Sequence, residues 1–380
     1  MAFHEVIVAG LGAMGSNALQ QLARRGHRVL GIDRFAPPHA MGSSHGKSRI
    51  IREAYFEDPR YVPLVQRAYH CWAELEREAG VRIFRQTGGL MLGPPDGPLV
   101  RGARLSADLH HLPHEILSAA EVARRFPAFR PEPEMIGVWE PRAGMLAPET
   151  AISAALTVAQ AHGAEVQLHE TLLGFDTIPG GVEVTTTAGR YRAATLILSL
   201  GAWTTPMVAD LGLPLVVQRN VLHWFTPSAR QEQFTPETLP IFISEIGADG
   251  SWYGFPDTGD GVKLARHHHG VATSPDTVDR AVAPSEIAAM REIIARYMPD
   301  ANGVHRESAV CLYTNAPDDH FVLGRHPTSP AVIVASPCSG HGFKFASAIG
   351  EVLADLATER EPRFDVSLFA LDRFGRASSS

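Results

Sequence analysis

The chain has 380 residues, more than one ordinary compact domain needs and comfortable for two, and 45% of them are hydrophobic, enough to fill sizeable cores. A formal charge of -7 and a pI near 6.2 leave no general basic face for nucleic acid, so none is expected as a partner. Only three cysteines occur, Cys71, Cys311 and Cys338; an odd number in so long a chain argues against a disulfide framework and for a reducing compartment.

The N-terminus runs straight into a strand-like segment, without the basic region or cleavage site of an export signal. The longest apolar runs, 194–200 and 331–335, fall well short of the roughly 20 residues that cross a bilayer. The expectation is a cytoplasmic protein with no membrane partner.

The opening reads as a strand at 5–9, a glycine turn at 10–15, a helix at 16–25 and a second strand at 28–32 that ends at Asp33. In that setting Gly10, Gly12 and Gly15 form a dinucleotide-binding turn. Gly10 permits the tight bend, Gly12 lets the backbone approach a pyrophosphate, and Gly15 allows close packing of helix on strand. Asp33 is placed to accept hydrogen bonds from ribose hydroxyls. FAD and NAD share this fingerprint, so these residues do not choose between them.

A helix is expected over 59–78, with apolar residues near a 3.6 period, and another over 148–162. Strand-like runs follow at 165–169, 181–186 and 191–192, then the continuous apolar run 194–200, which suits a buried parallel strand returning to the first sheet. Between 214 and 317 the pattern changes to alternating strands with one helix at 284–297. Segment 330–336 is again a buried-strand run, and 342–359 reads as a helix. The tail 377–380 is small and polar and reads as disordered.

The fold class expected is therefore α/β plus α+β: a Rossmann-type domain assembled from 1–85, 145–213 and 318–380, and a second, mostly antiparallel domain from 86–144 and 214–317. In a strand over 308–314, Cys311 and Tyr313 share a face; in a strand over 263–267, Lys263 and His267 do. Without further information a small buried cysteine is the commoner reading of Cys311, and a solvated helix arginine that of Arg52. The histidine clusters at 110–114 and 267–269 lack a cysteine or carboxylate to complete a metal site, and no metal is expected.

The segments GSSHGKSRIIR at 42–52 and SGHGFKF at 339–345 resemble the monomeric sarcosine oxidase family, which includes N-methyltryptophan oxidase. The resemblance extends through WYGFP at 252–256, Lys263 with His267, and CLY at 311–313 with Pro317 and Asp318, and so spans essentially the whole chain. It implies FAD in the first domain, attached through a cysteine thioether at the flavin 8α position, and oxidation of a secondary amino acid with oxygen as acceptor. Cys311 is the tethering residue by position in the motif. Cys338 is read as packing, and Cys71 as core.

The same resemblance assigns the substrate carboxylate to Arg52 and Lys344, oxygen activation to Lys263, and the substrate pocket to Tyr253. His267 is expected to tune charge or contact substrate. Ser43, His45, Arg49, Gly340 and Gly342 would surround the flavin, with Lys344 close enough to count among its contacts. Where relatives carry Asp-Thr before the first arginine, this chain has Lys47-Ser48, a charge reversal that puts the pairing of Arg49 in doubt. The resemblance also suggests a monomer. It leaves open N-methyltryptophan, cyclic imino acids such as pipecolate or proline, and glycated amino acids as substrates; a noncatalytic flavin and amino-acid binder and a nicotinamide dehydrogenase are the readings from other classes.

Overall fold

A computed structural model describes residues 3–247 and 250–375. The tail 377–380, read above as disordered, lies outside them.

The first sheet has eight strands. Its parallel core runs Glu165–Gln167, Val29–Ile32, Phe3–Ala9, Arg190–Leu198 and Ser329–Ser336 in spatial order, with Val322–His326 antiparallel at the edge. The antiparallel pair Leu172–Ile178 and Gly181–Thr186 joins the same sheet through Arg190–Leu198. Helix Ala13–Arg24 packs against both Pro148–Ala161 and Ala346–Ala357, and Val62–Ala79 packs on the latter two.

Strand Arg190–Leu198 corrects one reading of the sequence. Its first half alternates between exposed and buried positions, and its second half is buried throughout, so the two halves looked like separate strands. The cause is its neighbours: Gly181–Thr186 flanks residues 190–193, whereas Ser329–Ser336 flanks residues 196–198 deep in the parallel core. The expected helix at 342–359 is also divided, into a single 3-10 turn, Phe343–Phe345, and the helix Ala346–Ala357.

The second sheet has nine strands drawn from 89–140 and 216–315. Its pairings are antiparallel except that between Ile241–Glu245 and Gly89–Gly93. Helix Pro284–Tyr297 covers one face and buries Met290 and Ile294 in an aromatic-rich core with Phe225 and Trp252. A small third sheet, Arg49–Ile51 with Gly144–Leu146 and Phe84–Gln86, lies in the chain between the elements of the two larger ones. Among the described residues no helix is long and apolar enough to cross a membrane.

Candidate active site

The glycine turn is built on close approaches. Gly10 has φ +86, and a Cβ there would lie 2.5 Å from Ser199 O. At Gly15 a Cβ would lie 1.8 Å from Gly10 O, so this glycine seats the helix on the turn. Gly12 differs, because a Cβ there would meet only Ser44 Oγ at 3.6 Å. Packing within the chain does not require a bare backbone at Gly12, which leaves open space beside it. Gly12 is the N-cap of helix Ala13–Arg24, which starts three residues earlier than the sequence suggested, and provides no side-chain cap. The positive end of the helix is left facing the cavity.

Asp33 is buried and accepts the N–H groups of Leu11 and Phe35, each at 2.7 Å. Burial outweighs these bonds and raises its carboxyl above the usual range. Each oxygen keeps lone pairs for a further donor.

One cavity of about 360 Å³ runs from this turn to the second sheet. It is lined by Gly10, Gly12, Asp33, Ser43, Arg49, Arg52, Tyr253, His267, Cys311, Gly340, Gly342 and Lys344, which brings together twelve of the residues singled out from the sequence. Gly15, His45 and Lys263 do not line it. His45 is buried nearby, its Nε2 without a protein partner, and desolvation lowers its pKa to about 4.

Lys263 donates to Gly46 O and Ser48 O, both at 2.7 Å, and to Ser48 Oγ at 3.3 Å. Burial pushes its ammonium well below the ordinary lysine value. Ser48 thus retains a hydrogen bond through its hydroxyl. The charge reversal at Lys47 does not disturb Arg49: Lys47 turns outward to Asp260 and Glu307, while Arg49 donates to Ser48 O at 2.8 Å and Ser43 O at 2.7 Å. The same guanidinium lies 3.5 Å from Cys311 Sγ.

The second sheet presents one face to the cavity. Tyr253 OH lies 3.4 Å from Tyr313 OH, and Tyr313 OH lies 3.5 Å from His267 Nδ1. Burial raises both phenols and keeps His267 neutral by pushing its pKa well below the usual value. Cys338 also lines the cavity, with its sulfur accepting from Thr314 N at 3.3 Å. Cys71 is core, in helix Val62–Ala79, its thiol raised to about 12 by burial. Gly340 and Gly342 are held to glycine by the protein itself: added Cβ atoms would meet the Tyr313 ring at 2.7 Å and Pro337 O at 1.8 Å.

Arg52 is not a solvated helix residue. It follows strand Arg49–Ile51, is 1% exposed, and packs its guanidinium against the rings of Tyr55 and Phe56. Its Nη2 engages both oxygens of Glu57, at 2.9 and 2.7 Å, its Nη1 donates to Ala54 O, and its buried Nε has no protein partner. Arg52 holds Glu57 ionised, with a pKa of about 2 despite burial. Lys344 Nζ donates to His341 O at 2.7 Å and to Tyr55 OH at 3.4 Å; burial, helped by the charge on Arg52, lowers its pKa to about 7.

His341 Nε2 lies 2.8 Å from Asp319 O and so carries the proton; Nδ1 then accepts from Tyr55 OH at 2.5 Å. Sequence reasoning missed Tyr55, Glu57 and the acid Glu149, whose Oε1 accepts from the N–H groups of Gly46 and Lys47 at 2.7 and 3.1 Å. No motif marks them; only the fold brings their partners near.

The sequence description of the DAO family, "FAD dependent oxidoreductase", matches residues 5–356. The chain belongs to this family. The DAO-family chain is 42% identical over 378 residues to the monomeric sarcosine oxidase of Streptomyces avermitilis, with 98% of each covered. It is 32% identical to the N-methyl-L-tryptophan oxidase of Yersinia pestis, covering 98% of this chain and 99% of that one. Among solved structures it resembles NikD, described as an unusual amino acid oxidase essential for nikkomycin biosynthesis, with a TM-score of 0.86, 25% identity and 97% and 98% coverage. The L-proline dehydrogenase of P. horikoshii shares the fold, with a TM-score of 0.85, 23% identity and 98% coverage of each chain.

The cavity fits the cofactor of this family. Gly12 leaves open the room a pyrophosphate needs, Asp33 retains acceptor capacity, and the lining residue Ser336 has a buried Oγ with no protein partner. The FAD-dependent amino acid oxidoreductase expected from the sequence, with a Rossmann-type domain beside a mostly antiparallel one, is what the fold and the relatives establish.

Proposed function

We propose that the enzyme oxidises a secondary, N-methyl amino acid of the sarcosine type, with FAD tethered through Cys311, and that it works as a cytoplasmic monomer. The supporting observation is that two buried cations, Arg52 and Lys344, line the same cavity as Cys311 and the glycine turn. A carboxylate beside them would meet the unpartnered Arg52 Nε and the Lys344 ammonium.

Segments 1–85, 145–213 and 318–380 would hold the cofactor through Gly10, Gly12, Gly15, Asp33, Ser43, His45, Gly340 and Gly342. Segments 86–144 and 214–317 would supply the face that meets the substrate. The chemistry FAD supplies is removal of two electrons from the C–N bond, with oxygen as acceptor and hydrogen peroxide as product; the resulting imine is hydrolysed to amine and aldehyde.

The roles left to the side chains are positional and electrostatic. Arg52 and Lys344 fix the carboxylate and thereby the amine. Tyr253 and neutral His267 line the pocket without adding charge, which favours the neutral amine that can be oxidised. Arg49 and Lys263 provide positive charge near the reacting region, where negative charge develops during oxygen reduction.

The test is the visible spectrum of the purified protein under anaerobic conditions, before and after sarcosine and then other secondary amino acids. Bleaching of an oxidised-flavin band by sarcosine is the expected result. A band that no secondary amino acid bleaches would overturn the substrate assignment.

A further inference from the structure

Strand Ile136–Glu140 ends beside the segment that carries Arg52 and Glu57. The two carboxylate oxygens of Glu140 accept the consecutive N–H groups of Glu53 and Ala54, both at 2.8 Å. Glu140 is 1% exposed, and among the described residues no cation lies within ion-pair distance of it. A buried carboxylate held by two amides alone is costly to the fold, and an apolar residue would leave those amides orphaned. The grip comes from a strand inside the nine-stranded sheet, where Glu140 is in register with Gly89.

We propose that Glu140 is a positioning residue for the substrate carboxylate: by clamping the backbone at Glu53 and Ala54 it fixes the turn on which Arg52 and Glu57 face each other. This rests on the assignment of the carboxylate to Arg52 and Lys344. Without the clamp Arg52 keeps its charge and loses its aim.

The groups facing Glu140 are Glu53, Arg52 and Tyr69, with Arg142 and His70 acting on Glu53 from beyond. Arg142 pairs with Glu53 at 3.1 Å, and Tyr69 OH donates to Arg142 O at 3.1 Å. Burial raises Glu140 to about 7; its two amide bonds pull down, and the charge of Glu53 pushes further up. Above that value both oxygens accept. Below it one oxygen carries a proton and serves the second amide poorly. Lys344 runs the opposite way, gaining charge as pH falls through about 7. In the native enzyme the two effects oppose each other.

The experiment is titration of the purified flavoprotein with acetate, a carboxylate without an amine, followed by perturbation of the flavin absorbance at about pH 6 and about pH 8, on either side of both groups. Glu140→Gln should weaken acetate binding about tenfold at the higher pH and by less than about threefold at the lower, with flavin content within about twofold of native. Glu140→Asp, which keeps the charge and shortens the reach, should restore the native pH trend at reduced affinity and serves as the test should the Gln variant not fold. Unchanged affinity at the higher pH, or an equal loss at both, would overturn the proposal. Lys344→Met separates the two readings: if it leaves acetate binding intact, the carboxylate assignment itself fails; if it weakens binding while Glu140→Gln does not, only the clamp fails.

Discussion

Arg49 and Cys311 meet from different sheets, the guanidinium Nη2 3.5 Å from the thiol sulfur, with both groups also directed at Ser43 O. Cys311→Ser keeps the size of the side chain and removes the sulfur a thioether needs. Acid precipitation of the native protein should leave the yellow colour in the pellet. For the variant, the flavin should appear in the supernatant.

Gly10 and Gly26 share a left-handed backbone, φ +86 and +83, but not an environment. Gly10→Ala drives a Cβ against Ser199 O at 2.5 Å and should cost roughly 3 kcal/mol or more and most of the flavin content. Gly26→Ala meets nothing within 4 Å and should cost only the backbone penalty of about 1 kcal/mol. Equal denaturation midpoints for the two variants would refute the steric account.

Lys263→Met removes a buried ammonium held by two carbonyls of the Gly46–Ser48 turn. Stopped-flow mixing of reduced enzyme with oxygen should show reoxidation slowed roughly 100-fold or more, while anaerobic reduction by substrate changes by less than about tenfold. Slowing of both half-reactions alike would assign Lys263 a different role.

Three buried histidines, His45, His223 and His341, have pKa values lowered to about 4, with desolvation as the leading cause in each. Their unfolded values lie near 6.5, so the unfolded chain binds more protons between about pH 6.5 and 4. The stability they provide is fully present above about 6.5 and is lost as pH falls to about 4, by up to roughly 3 kcal/mol each. Thermal melts of the holoenzyme across this range should show a steep decline, and His223→Gln should make it shallower.

Lys47→Asp reverses the charge and faces an acid toward Asp260 and Glu307. These partners are 46–49% exposed, so the cost should be about 1 kcal/mol, read as a small fall in melting temperature at low salt that fades at high salt. Flavin content should not change, because Arg49 donates its hydrogen bonds to the backbone carbonyls of Ser43 and Ser48.

The glycine turn with Asp33 and the cavity face shared by Cys311 and Tyr313 were legible because the first is one continuous strand–turn–helix–strand unit and the second a spacing of two along one strand. Lys263 and His267 were placed on one face by the same logic, yet only His267 reaches the cavity, since the turn at Gly46–Ser48 covers the lysine. Glu57, Glu140 and Glu149 were not legible. Each is an ordinary acid in its own neighbourhood, and its meaning comes from amides or a guanidinium that tertiary packing delivers. Arg190–Leu198 was misdivided for a related reason: its burial pattern is set by which strands lie beside it, and those come from distant parts of the chain.

The pairing of Arg190–Leu198 with Ser329–Ser336 also orders events during synthesis. A nascent chain complete to Asn315 has its glycine turn, Asp33 and Cys311, but Leu196, Ile197 and Leu198 still lack the neighbour that covers their hydrogen-bonding edge. The wall formed by Gly340, Gly342 and Lys344 is also missing. Closure of the cofactor cavity therefore waits for segment 329–344 to be made, and until then an apolar strand edge stays open to other chains, which makes this interval one of exposure to aggregation.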